Sequence, residues 1–374
     1  RGVAPAAVKT IAMYKGVIAF IGLQLFALGI VGYFPPLVNY LPNRVSFLSE
    51  QAPPPRNPKM QFCLEDYVYG QLNADNGQTL AAIQIAGGLD LSVLPKKMEK
   101  SISKGISSGK EAITNLEQAF TAADVVNLAA IDYRPQLRFV RGLEKKIRRE
   151  EKHKEEMRVA LGRLQEGSKA REGLEAGIAE SVKTIDNLIL QIPAEWDAVN
   201  KRFAKLTKAE NDARNKYRRY ADTSYEEVAI ALDAMNDTAA FLSFEAELIE
   251  LRSLVETADP QETQLKVNEL AKRIGKLGGA GDVKKALSKA RRKLKAKKPN
   301  VEAALEEYDD AIAAFTEGKT WRAAAEKSVR LGLETYLSSV EGTLGLRMQS
   351  ALTREQALFM ASCSSYHRDI SLNF

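Results

Sequence analysis

The sequence predicts an all-α protein: one transmembrane helix, then a long antiparallel helical hairpin of coiled-coil type, then a small helical bundle. Three observations predict it. Residues 16–43 carry no charged side chain and are apolar over a length suited to a membrane crossing. Aromatic residues are sparse at 7%, whereas Ala, Leu, Glu, Lys and Arg abound, which favours helices over sheets. The middle of the chain repeats apolar residues at spacings of three and four within dense mixed charge, the pattern of helices that pack along one seam. The 374 residues exceed one ordinary domain. A formal charge of +6 permits contact with anionic lipid or nucleic acid without requiring either.

The apolar core of the first element covers residues 17–34, which at 1.5 Å per residue cross most of a hydrocarbon layer. Pro35-Pro36 bend or end the helix, and Leu37, Val38, Tyr40 and Leu41 are expected at the interface. Tyr14, Tyr33 and Tyr40 fall where aromatic belts form. A signal peptide is the rival reading. It fails on the length of the run, on the residues that precede it and on the missing small-residue cleavage pattern. Small residues within the span, Gly22 and Gly29 foremost, let other helix backbones approach, and Gln24 can supply an interhelical hydrogen bond. Gly22, Gln24 and Gly29 are thus the expected helix-packing positions in the membrane. Lys15 abuts the apolar run, and the charge-free stretch beyond it favours a cytoplasmic start and a periplasmic soluble region. Because the chain begins at Arg1 rather than Met, it is expected to be the C-terminal part of a longer protein.

The residues around this span resemble a known family. Ala4-Pro5, Met13-Tyr14-Lys15-Gly16-Val17, Gln24-Leu25, Phe34-Pro35 and Tyr40-Leu41-Pro42 resemble, in order and spacing, the last membrane helix of the large permease subunit of TRAP (tripartite ATP-independent periplasmic) transporters. The likeness covers residues 1–45, and a typical large subunit stops near the equivalent of Pro42, whereas this chain continues for about 330 residues. The resemblance implies an ion-gradient-driven importer of small organic acids in a bacterial inner membrane. Its partners would be the other permease helices, a small permease subunit and a periplasmic substrate-binding protein. The sequence beyond the span would then be an accessory extension.

After the span, residues 46–60 contain four prolines and are expected to form a stiff extended linker. A small helical unit is expected over residues 61–134, with helices at 78–86 and 110–128 and breaks at Gly87-Gly88 and Pro95. Phe62, Leu64, Tyr67, Val68 and Tyr69 are expected to pack this unit. Residues 135–258 should form the long hairpin, its arms joined at Pro193 because proline ends a helix and no proline interrupts residues 136–192. Gly167, Gly173 and Gly177 weaken the first arm and mark a candidate break. Residues 259–374 should form a helical bundle that carries a basic segment.

In that segment Lys284, Lys285, Lys289, Arg291, Arg292 and Lys293 stand without an acidic neighbour and are candidate contacts for anionic lipid headgroups. The bland alternative packs this basic helix beside the acidic residues 302–310. Nucleic acid is not expected as a partner, because the stacking aromatics and recognition motifs of such binders are missing. Enzymatic activity is not expected either. There is no phosphate-binding glycine loop, no nucleophile–histidine order and no metal-ligand spacing, and no cofactor is implied. The only histidines, His153 and His367, have no ligand partners in sequence. Cys63 and Cys363 leave a disulfide open without marking a framework. Two function classes remain: part of a secondary transporter, or a single-span tether whose coiled coil is itself the function.

Overall fold

A computed structural model of the chain describes residues 10–33, 45, 47–49, 51–56 and 58–366. Every regular element among them is a helix, so the expected all-α class is observed. Residues 1–9 and 34–44, which carry much of the family resemblance and the expected interface residues Pro35, Pro36, Leu37, Val38, Tyr40 and Leu41, lie outside the described residues, as does His367.

Helix α1 covers Thr10–Tyr33, 24 residues with Lys15 as its one charge. Every side chain described in it, residues 17–33, is exposed. No helix among the described residues is long and apolar enough to cross a membrane.

The described residues divide into two compact units, one from residues up to 112 together with 219–366, the other from residues 113–218. This differs from the expected order of a 61–134 unit, a 135–258 hairpin and a 259–374 bundle. Periodicity locates helices, but it does not say which distant segments share a core.

The first unit contains α2 (Pro58–Ala74), α3 (Gln78–Gly87), the start of α4 (Lys96–Leu161), the end of α6 (Trp196–Asn236), and then α7 (Thr238–Leu242), α8 (Glu245–Thr257), α9 (Pro260–Ile274), α10 (Gly281–Leu294), α11 (Val301–Ser328), α12 (Arg330–Val340) and α13 (Arg354–Tyr366). Local chemistry fixes their starts. Asp259 caps α9 by accepting from Glu262 N, with Pro260 at the position where a missing N–H costs nothing. Asn300 caps α11 by accepting from Ala303 N. Leu248, Leu251, Leu270, Ile274, Leu287, Tyr308 and Phe315 close one buried core across α8–α11. Tyr308 donates its hydroxyl to the Leu248 carbonyl at 3.0 Å, which satisfies the one polar atom it brings inside.

The rest of this unit joins the two ends of the sequence. Helix α2 packs on α13, and α3 on α12. Cys63 of α2 forms a disulfide with Cys363 of α13. Leu64, Tyr67 and Val68 are buried on α2, and Tyr67 meets Phe359 edge-on at 5.3 Å, so the expected aromatic cluster serves a core. The described part of the proline-rich linker is docked rather than free. Ala52 and Pro54 are buried, and the Ala52 carbonyl accepts from Leu352 N at 2.8 Å.

The second unit contains the expected hairpin, but its turn is elsewhere. Helix α4 runs unbroken through Pro135 to Leu161, and α5 (Lys169–Leu190) folds back on it. Ser181 lies 3.5 Å from Glu150, and a Cβ on Gly177 would sit 2.9 Å from Met157 Sδ. The tip is therefore residues 162–168, where Gly167 adopts φ +77° and Ser168 caps α5 by accepting from Arg171 N. Pro193 only interrupts the returning arm between α5 and α6. Beyond it, Tyr133 of α4 stacks on Phe203 at 3.9 Å and on Trp196 at 5.7 Å, and donates to Asn200 Oδ1 at 2.8 Å. The seam of α4 buries Leu116, Ala119, Ala130, Val140 and Leu143, steps that return to one helix face. Pro135 is exposed and leaves one carbonyl of the preceding turn without its helix partner. With helix on both sides and the adjacent aromatic stack, the unit absorbs that cost.

Candidate functional site

Four features outside ordinary packing are candidates, and the first is α1. Its large apolar side chains are open on all sides, among them Ile18 at 69% and Phe26 at 69% exposure. A Cβ placed on Gly22, Gly29 or Gly32 would meet nothing within 4 Å. The expected packing positions Gly22, Gln24 and Gly29 thus all lie on an uncovered helix.

The second is the basic helix α10. Val283, Ala286, Leu287, Ala290 and Leu294 face the core, which turns the cations outward. Lys289 donates to Glu307 Oε2 at 2.8 Å, and this hydrogen bond and the facing charge raise its pKa. Arg291 donates to Asn268 Oδ1 at 3.0 Å. Two of the six expected headgroup contacts are therefore engaged within the fold. Lys284, Lys285, Arg292 and Lys293 remain exposed, and Arg291, Arg292 and Lys293 oppose the negative end of the helix dipole. The structure thus gives part of the basic run a stabilising role and leaves a cationic outer face.

The third is a half-open cleft of about 340 Å³ in the first unit. Met98 and Ser101 come from the first turns of α4, Ile230 and Ala231 from α6, Val283 from α10 and Trp321 from α11. Lys97, Glu227, Asp282 and Glu317 stand around it. Lys104 approaches Glu227 to 3.9 Å. The walls suit a small apolar group, and the lining holds no histidine to serve Ser101 as a base. Among the described residues no three His, Cys, Asp or Glu side chains converge on a metal position.

The fourth is Arg322, the largest fully buried side chain. It donates to the Gly318 carbonyl at 3.1 Å and to the Gly278 carbonyl at 2.6 Å. Its guanidinium lies 3.9 Å from the Phe241 ring centroid and 4.3 Å from that of Trp321. Burial lowers its pKa to about 10, against the opposing pull of Asp237, so it stays charged at neutral pH. Asp237 Oδ2 accepts from Gly278 N at 2.8 Å. Arg322 therefore clamps the α9–α10 turn to α11, a structural role. In sequence Arg322 is one cation among 54, and only the adjacent Trp321 sets it apart.

No protein-family model, no curated protein and no solved structure matches this chain.

Proposed function

We propose that this chain is the C-terminal part of an ion-gradient-driven secondary transporter resembling the TRAP-type large permease. In this reading α1 is its last membrane helix, and the helical units are an accessory interaction module on the periplasmic side of a bacterial inner membrane. The observation that carries the reading is α1. Ten large aliphatic or Phe side chains between Val17 and Val31 are exposed, each worth about 1.5–3 kcal/mol when taken out of water. A helix that apolar on every face needs a cover, and lipid with neighbouring helices supplies one. Its described side chains alone fall short of a bilayer. The helix counted from Thr10 is 24 residues and about 36 Å long.

Two further observations support it. Uncovered Gly22, Gly29 and Gly32 suit close approach by other permease helices. The Cys63–Cys363 disulfide suits an oxidising compartment, which the periplasm is and the cytoplasm is not. By resemblance, the partners are a small permease subunit and a soluble substrate-binding protein, with small organic acids as cargo. Anionic lipid is a further partner for the exposed cations of α10.

A single-span tether is the second reading, favoured by the 49 residues of α4 within the second unit, a rise of about 73 Å. Deletion of the complete reading frame separates the two. Loss of sodium-driven uptake of radiolabelled organic acids supports transport. Unchanged uptake with altered envelope architecture would overturn it in favour of the tether.

A further inference from the structure

We propose that the outer face of α4 in the second unit is a self-association surface for a second copy of this chain, paired antiparallel. On the side away from the seam, Val125, Leu128, Ile131 and Phe139 are 45%, 68%, 68% and 52% exposed. At the 3.5-residue period of that seam they fall within an arc of about 105°, roughly opposite the buried Leu116, Ala119, Ala130 and Val140. A solvated face of a charge-rich helix has no need of four large apolar residues on one side, and all four are exposed among the described residues.

Charge identifies the occupant. Glu117 lies on the same face before the row and Lys146 on the same face after it, both exposed. Two copies laid antiparallel about a two-fold axis between Ile131 and Asp132 set Glu117 of each copy against Lys146 of the other and superpose the apolar rows. Parallel pairing would instead put Glu117 against Glu117 and Lys146 against Lys146. The paired strip, 30 residues long, measures about 45 Å by about 10 Å, or roughly 900 Å² over both copies. That is below the ~1,200 Å² of a stable interface, so the free dimer is weak, with a dissociation constant on the order of 10–100 µM. Two groups oppose it: exposed Asp124 lies in the same arc, level with Phe139 of the other copy, and Asp132 meets its own mate near the axis, so Asp132→Asn tightens the pair. The inference does not depend on the transport reading. Anchoring both copies in one membrane would strengthen it by raising their effective concentration.

The test uses the full chain in detergent, with the native cysteines in their disulfide. Sedimentation should show a concentration-dependent dimer that Leu128→Glu combined with Ile131→Glu abolishes while helicity is unchanged. Asp132→Cys should cross-link to itself under oxidation. Glu117→Cys should cross-link poorly alone but efficiently when mixed with Lys146→Cys chains. A monomer up to about 200 µM with no Asp132→Cys product would overturn the proposal. So would Glu117→Cys cross-linking to itself as well as Asp132→Cys does.

Discussion

Cys63 of α2 and Cys363 of α13 are bonded across 300 residues of sequence, with Cα atoms 5.7 Å apart. The bond staples α2 to α13, and nearby contacts repeat the arrangement: Leu352 N on the Ala52 carbonyl, and Arg347 on Gln61 Oε1. By constraining the unfolded chain, such a long closure stabilises the fold by about 2–5 kcal/mol. Cys63→Ser should lower the urea midpoint accordingly, and reductant should do the same to the unaltered protein but nothing further to the variant. A variant as stable as the parent would show that the ends hold together without the bond.

In the arm of the second unit, Pro135 stands exposed inside a continuous helix and withholds one backbone donor. Pro135→Ala should stabilise this unit by about 1–3 kcal/mol, seen as slower amide exchange in residues on either side. Gly167→Ala should act oppositely, by about 1–2 kcal/mol, because φ +77° at the tip is strained for any residue with a Cβ.

Arg322 offers a third test. Arg322→Met keeps the stem but strips both buried carbonyl contacts, and should cost about 3 kcal/mol. Arg322→Lys should recover less than half, since one ammonium cannot span Gly278 and Gly318 as the planar guanidinium does. Equal stability of Arg322→Met and the parent protein in urea would contradict the clamp.

Arg252 grips Asp309 through two hydrogen bonds, 2.5 and 2.9 Å long, and holds its carboxyl below the usual range. A depressed carboxylate contributes stability above its unfolded pKa of about 3.9 and loses it as pH falls through the folded value. The pair is exposed, so its contribution is small. Asp309→Asn should be less stable than the parent at pH 7, with the gap closing as pH drops from about 5 towards about 2. A gap that stays constant with pH would show that the charge is not involved.

Helices were legible in the sequence wherever a period ran long. The apolar run became α1, the charged repeats became α4–α6, and the amphipathic basic segment became α10. Turns are harder to place, because in sequence proline reads as a breaker and glycine only as a weak point. A long helix can carry Pro135, whereas Gly167 in the left-handed region reverses the chain outright. The pairing of α2 with α13 was not legible, since period says nothing about contacts 300 residues apart and two cysteines do not declare a bond. Arg322 was hidden for a related reason: its value lies in what surrounds it, not in its neighbours along the chain.

We propose that α1 spans a membrane and places the helical units on its outer face. That placement is tested most directly by Lys297→Cys, at an exposed position beyond α10, in the protein expressed from its complete reading frame. Cells with a permeabilised outer membrane are treated with a membrane-impermeant maleimide, and label is read in the carbonate-washed membrane pellet. The account predicts a labelled chain that stays in the pellet. Labelling only after the inner membrane is broken, or a labelled chain released by carbonate, would contradict it.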